Sequence, residues 1–182
     1  MKQHLNSFVM ADPQKCTGCR VCEIACAVAH SEHDHKTVGT MDQPLIPRLY
    51  LVQTDQSTMP VQCRHCEDAP CLRSCPVSIF SREENQISAN EEYCIGCKSC
   101  LLACPFGAIE LSGSSQNNPM HRVIANKCDL CSGHASGPAC VASCPSQALR
   151  IVDWADERKR KQIAAANQAG AVIKQFRSMG EE

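Results

Sequence analysis

Sixteen of the 182 residues are cysteine, and they fall into four runs. The first run is Cys16-x2-Cys19-x2-Cys22-x3-Cys26, and the third is Cys94-x2-Cys97-x2-Cys100-x3-Cys104 followed by Pro105. The second and fourth widen one gap, reading Cys63-x2-Cys66-x4-Cys71-x3-Cys75-Pro76 and Cys128-x2-Cys131-x8-Cys140-x3-Cys144-Pro145. Three close thiols match the run that wraps one 4Fe-4S cube, while the fourth, displaced beside a proline, reaches the neighbouring one. The inserted residues, Glu67 to Pro70 and Ser132 to Ala139, can bulge outward while the thiolates keep their places. Proline fixes φ and lacks an N–H, so it ends the local helix and turns the fourth cysteine aside. Only the first run departs, with Ala27 in that place.

Other chemistries fit the spacing less well. Paired C-x2-C also serves zinc, but zinc sites use two pairs and give no reason for the third cysteine or the proline. A radical-generating cluster enzyme would show C-x3-C-x2-C with one iron open, a spacing that does not occur here. Saturation of every iron by thiolate favours electron transfer over substrate chemistry. Eight disulfides are the secreted alternative; the stretch Met1 to Asn6 lacks the apolar run of a signal peptide and no twin-arginine pair precedes Cys16, so a reducing, cytoplasmic setting is expected. No run approaches the roughly 18 apolar residues needed to cross a bilayer. The formal charge of -1 gives no support for nucleic-acid binding. With sixteen thiolates and four doubly positive cluster cores the formal charge moves by roughly -16 + 8 = -8, to about -9.

Several further residues lie close to the ligands in sequence. Gly18 and Gly96 precede the second cysteine of their runs, where a backbone without Cβ can approach cluster sulfur and donate N–H bonds. His65 and Lys98 lie inside ligand loops, where they are candidates for tuning a potential or for a plain surface role. His30, His33 and His35 fall in a polar stretch that reads as a solvated loop.

The elements that must position these ligands repeat four times. Short apolar strands precede the runs: Ser7 to Asp12 before Cys16, Gln86 to Asn90 before Cys94, Arg122 to Asn126 before Cys128, and the degenerate Met59 to Gln62 before Cys63. Strand-like text follows at Val77 to Phe80, Ala108 to Leu111 and Ala148 to Val152. Only 18 residues separate Cys75 from Cys94, with Glu84-Asn85 as a hairpin turn, so the second and third repeats form a compact inner unit. The first and fourth are set apart by an extended Arg48 to Val52 on one side and a polar loop, Ser112 to Pro119, on the other. The expected fold is α+β, with two ferredoxin-like dicluster domains of pseudo-twofold repeats and a C-terminal helix. Residues 1–60 and 113–152 form the outer domain, 61–112 the inserted inner domain and 153–182 a helical tail for docking or oligomerisation. In that tail Ala165, Ala169, Val172, Phe176 and Met179 form a narrow apolar stripe, and Arg158 to Lys161 read as an exposed face. Gly170 weakens such a helix by roughly 1 kcal/mol relative to Ala.

Over about residues 7 to 152 the chain resembles the four-cluster iron-sulfur subunits of the molybdopterin oxidoreductase superfamily. The segments Cys66-Glu67-Asp68-Ala69-Pro70-Cys71, Cys104-Pro105-Phe106-Gly107-Ala108-Ile109 and Lys127-Cys128-Asp129-Leu130-Cys131, with Gly137-Pro138-Ala139-Cys140, are most similar to the small subunits of formate hydrogenlyase and hydrogen-linked formate dehydrogenases. The resemblance implies four 4Fe-4S clusters with exchanged fourth ligands: Cys16, Cys19, Cys22 and Cys144; Cys128, Cys131, Cys140 and Cys26; Cys63, Cys66, Cys71 and Cys104; Cys94, Cys97, Cys100 and Cys75. It also implies a non-catalytic electron-transfer subunit between a molybdenum or tungsten formate dehydrogenase and a hydrogenase or other acceptor. A free polyferredoxin or maturation-associated carrier and a catalytic iron-sulfur enzyme acting alone are the competing classes.

Overall fold

The computed structural model describes residues 6–31, 44–83, 86–113 and 123–179. Residues 6–151 form one compact unit and 152–179 belong to a second. The chain runs β1 (Phe8–Ala11), α1 (Val21–Ala29), β2 (Leu49–Gln53), β3 (Thr58–Gln62), α2 (Pro70–Ser74), β4 (Phe80–Glu83), β5 (Gln86–Ala89), a 3₁₀ turn (Glu91–Tyr93), α3 (Ser99–Ala103), β6 (Ile109–Gly113), β7 (Val123–Lys127), α4 (Ala139–Ala142), β8 (Leu149–Val152) and α5 (Trp154–Met179). Small strands and short helices alternate, giving the expected α+β, ferredoxin-type class.

The strands pair in twos, as β1-β8, β2-β3, β4-β5 and β6-β7. Three pairs are antiparallel ribbons, with Tyr50 opposite Val61, Arg82 opposite Ile87 and Leu111 opposite Ala125. The fourth joins strands from opposite ends of the sequence, and Asp12 N–H extends it by bonding Ala148 O at 2.8 Å. A two-stranded ribbon is marginal alone; here the buried faces meet the cysteine loops. Ile79, Phe80, Ile87, Ile109 and Ala125 pack around Cys71, Cys94 and Cys100. Val9, Ala11, Leu49 and Leu149 pack around Cys22, Cys26 and Cys140. A third, smaller group brings Cys63, Ala108 and Cys128 together. Thiols thus occupy the places that large apolar side chains fill in an ordinary core.

One boundary differs from the sequence reading. Val77 to Ile79 are not strand, because Pro76 opens a turn that closes with Ser78 N–H on Cys75 O at 3.3 Å, and β4 starts only at Phe80. The Glu84-Asn85 turn lies outside the described residues, although Glu83 opposite Gln86 fixes the register around it. His33, His35 and residues 114–119 of the polar loop also lie outside them.

The second unit is dominated by α5, 26 residues long, with Asp156 and Glu157 in its first turn. Glu157 and Arg160 pair one turn apart at 2.6 Å, and Arg158 to Lys161 are exposed. Ala165, Ala169 and Val172 are exposed as well, as are Ile163 and Ile173. The side chains of Phe176 and Met179 lie outside the described set. Among the described residues no helix is long and apolar enough to cross a membrane.

Candidate metal centres

Each cysteine run folds the same way, and the reason is local. The third cysteine is always the second residue of a short helix: Cys22 in α1, Cys71 in α2, Cys100 in α3 and Cys140 in α4. Upstream, the residue two places after the first cysteine is left-handed in every run, at Gly18, His65, Gly96 and Leu130. That conformation folds the loop back so that an amide meets the first sulfur. His65 N–H reaches Cys63 Sγ at 3.4 Å and Leu130 N–H reaches Cys128 Sγ at 3.4 Å. Glycine is therefore not what makes the bond, since His65 and Leu130 pay the left-handed strain and donate it. At Gly96 the requirement is packing, because a Cβ there would stand 2.8 Å from Val123 O.

The fourth cysteine also has a repeated setting. After Cys75, Cys104 and Cys144 the proline turn places a left-handed residue, Ser78, Gly107 or Gln147, whose N–H bonds the cysteine carbonyl. The next amide then points at sulfur: Ile79 to Cys75 at 3.5 Å, Ala108 to Cys104 at 3.4 Å and Ala148 to Cys144 at 3.3 Å. Without the proline, α1 runs on past Cys26 to Ala29. Cys26 Sγ takes its amide from Arg48 at 3.3 Å instead. The widened gaps project only in part: Glu67, Asp68 and residues 132–136 are exposed, whereas Ala69 and Pro138 turn inward and are buried.

Thiols from different runs are brought close to one another. Cys16, Cys19, Cys22 and Cys144 line one cavity with Leu51, Pro60 and Leu149. Burial, then the nearby Cys63 and Cys104, push the Cys66 thiol up; burial and the same two neighbours push Cys71 to about 11. Burial raises Cys128, with Cys140 and Cys26 adding to it, and burial followed by Cys26 and Cys131 pushes Cys140 up to about 12. Burial raises Cys100, aided by Cys94 and Cys75; Cys97 lies exposed, hydrogen-bonded to Ser99 Oγ at 3.5 Å. Thiols so buried and so close repel one another as anions, a donor set that suits a cationic core bound by all four. Neighbouring groups adjoin. Cys140 feels Cys22, Cys128 feels Cys63, and Cys71 shares a core with Cys94 and Cys100.

These features decide the chemistry once the family is known. Residues 54–154 match the model of the 4Fe-4S dicluster domain. The chain belongs to that family. It is an iron-sulfur protein, and its function is electron transfer. It is 40% identical over 169 residues to the electron transport protein HydN of Escherichia coli K12, covering 88% of this chain and 94% of HydN. Hydrogenase-4 component A of the same organism is 40% identical over 196 residues, 90% of this chain and 92% of that one. AegA of Escherichia coli K12 is 43% identical over 148 residues, 81% of this chain but 22% of AegA.

Four residues around the sites were not legible as site residues. His30, read as solvated loop, is a correction: its Nε2 meets Asp129 Oδ1 at 2.8 Å and its Nδ1 meets Cys26 O at 2.7 Å. Burial lowers His30, but the bonds to Asp129, Cys131 and Cys26 outweigh it and lift the ring to about 12. Arg48 Nη1 holds the other Asp129 oxygen at 2.8 Å. Asp129 falls to about 2, since His30 and Arg48 overcome its burial. His30 and Asp129 approach Cys131 closely enough to form a trio of metal-ligating type, but Cys131 already belongs to a cysteine group. The fourth is Lys127, whose ammonium is buried. His65 is fully buried, with Nδ1 accepting Ile87 N–H at 3.0 Å; burial and then Lys127 push it down to about 3, so it is neutral. Lys98 is exposed and serves as the left-handed residue before α3.

Proposed function

We propose that the chain carries four 4Fe-4S clusters and relays electrons, as a non-catalytic subunit, between a molybdenum or tungsten formate dehydrogenase and a hydrogenase or other acceptor in the cytoplasm. The ligand sets are Cys94, Cys97, Cys100 and Cys75; Cys63, Cys66, Cys71 and Cys104; Cys128, Cys131, Cys140 and Cys26; and Cys16, Cys19, Cys22 and Cys144. The observation that carries this reading is that thiols of successive sets adjoin, Cys22 near Cys140, Cys128 packed with Cys63, and Cys71 in one core with Cys94 and Cys100, while Cys19 and Cys97 lie exposed; we read this order as a single file. Such a file suits one-electron centres passing charge between two partners. The division at 1–60 with 113–152, 61–112 and 153–182 is read as two halves of one compact unit and a tail: the β1-β8 pair and the cores around Cys22 and Cys71 favour it, while the β6-β7 ribbon and the Cys63-Cys128 core join the halves. The exposed apolar positions of α5 support docking or oligomerisation through the tail.

The chain's own residues supply positioning and dipoles. The amides of His65, Ile79, Ala108, Leu130, Ala148 and Arg48 each donate to a ligand sulfur, which stabilises negative charge there and raises the potential. The printed names of the relatives, an electron transport protein and a hydrogenase component, support the assignment of partners. Anaerobic holoprotein mixed with a formate dehydrogenase from its host should lose cluster absorbance when formate is added. No bleaching, with a dehydrogenase that still reduces an artificial dye, would exclude that partner. The match to a 22% segment of AegA favours a second reading, a carrier module serving several oxidoreductases; bleaching by unrelated dehydrogenases as well would select it.

A further inference from the structure

Lys127 is the last residue of β7 and immediately precedes the ligand Cys128, yet the residue is only 3% exposed. Its Nζ donates to Cys128 O at 2.8 Å and to Ile87 O on β5. Ile87 belongs to the core around Cys71, Cys94 and Cys100, so this one side chain ties the loop of the fourth cysteine run to the core of the second and third. The place is also where Cys63 and Cys128 pack together with Ala108. Among the ion pairs of the described residues none involves Lys127.

An ammonium taken out of water is unfavourable unless an opposite charge compensates it. Two backbone carbonyls satisfy two of its three donors and leave the charge itself unbalanced. The adjoining thiolate sets supply that balance: four thiolates around a doubly positive core leave a net negative site, more negative by one when reduced. Ile87, whose carbonyl accepts from Lys127, packs in one core with Cys71 of the neighbouring set.

We propose that Lys127 is a positioning residue for electrons, a fixed buried cation between the two middle clusters that raises both their potentials relative to the two end clusters. The inference rests on the four-cluster reading. It makes the middle of the file a place where an electron is held, so that the two exposed ends exchange with partners while the middle stays reduced. His65 turns its Nδ1 to the same residue, accepting Ile87 N–H at 3.0 Å.

The test is a redox titration, followed by EPR, of anaerobic wild-type, Lys127→Gln, Lys127→Met and Lys127→Arg proteins of measured iron content. Two centres should shift to lower potential in the Gln and Met variants by at least tenfold in the reduction equilibrium, which is 59 mV for one electron. The other two should stay in place, and Arg should restore the wild-type values. Four unchanged potentials, four equal shifts, or an Arg variant shifted as far as Gln would overturn the inference. Loss of iron from both neutral variants would also overturn it, by assigning Lys127 a structural role. Fewer than four centres in the unmutated protein would sink the four-cluster reading instead, whatever the variants do.

Discussion

The backbone N–H of Arg48 bonds Cys26 Sγ at 3.3 Å across 22 positions of sequence. The other three fourth-position cysteines receive the equivalent bond from the residue four places on, through a proline turn. Sequence and structure trade places here. Where the first run lacks proline, α1 continues, and a distant strand start supplies the donor. Making the first run conform should therefore do harm. Ala27→Pro removes a helical N–H inside α1 and clashes with the preceding turn, at about 3 kcal/mol. Thermal bleaching of cluster absorbance should begin at a lower temperature, and an unchanged profile would mean α1 does not need its last turns.

Cys26→Ser tests the exchange of fourth ligands. Cys26 lies among the thiols of Cys128 and Cys140. The expected damage is to the cluster of Cys128, Cys131 and Cys140, with that of Cys16, Cys19 and Cys22 retained. EPR of the variant reads both, and damage confined to the Cys16 cluster would contradict the ligand sets.

Glycine substitutions separate strain from packing. Gly107 has φ +59 and nothing within 4 Å of a built Cβ, whereas Gly96 has φ +67 and Val123 O at 2.8 Å. Gly107→Ala should cost only the left-handed conformation, about 1–2 kcal/mol. Gly96→Ala should cost more, because the β7 backbone must also move. Equal bleaching temperatures for the two variants would mean that β7 is not held against the Cys94 loop.

The C-terminal helix is predicted to be dispensable for the metal sites. Deletion of residues 155–182 should leave iron content and cluster spectra unchanged while reducing complex formation with a partner or a second copy, measured by size-exclusion chromatography. Full assembly by the truncated protein would remove the contact role of α5.

How far the sequence carried the account follows from range. The ligand loops were legible because everything that shapes them is within a few residues: a C-x2-C loop, a short helix, a proline. The α+β class and the C-terminal helix followed from the same local patterns. The partners of these loops were not legible. His30 and Asp129 meet across 99 positions, and Arg48 and Asp129 across 81. A histidine just past α1 in a polar stretch carries no local mark of that contact. Lys127 reads as an ordinary strand-end lysine, and only its bond to Ile87 O, 40 positions away, reveals burial. The single signal available was Asp129 between two ligands, a carboxylate placed where a negative site would otherwise repel it. The misread strand at Val77 to Ile79 shows the converse, a strong apolar pattern overridden by the turn that Pro76 imposes.

The central claim is that sixteen thiols hold four one-electron centres. Anaerobic coulometric reduction of fully reconstituted protein, with iron counted in the same sample, tests it most directly. The account predicts about four electrons taken up per chain with about sixteen irons bound. Uptake of about two electrons or fewer on about eight irons would contradict it.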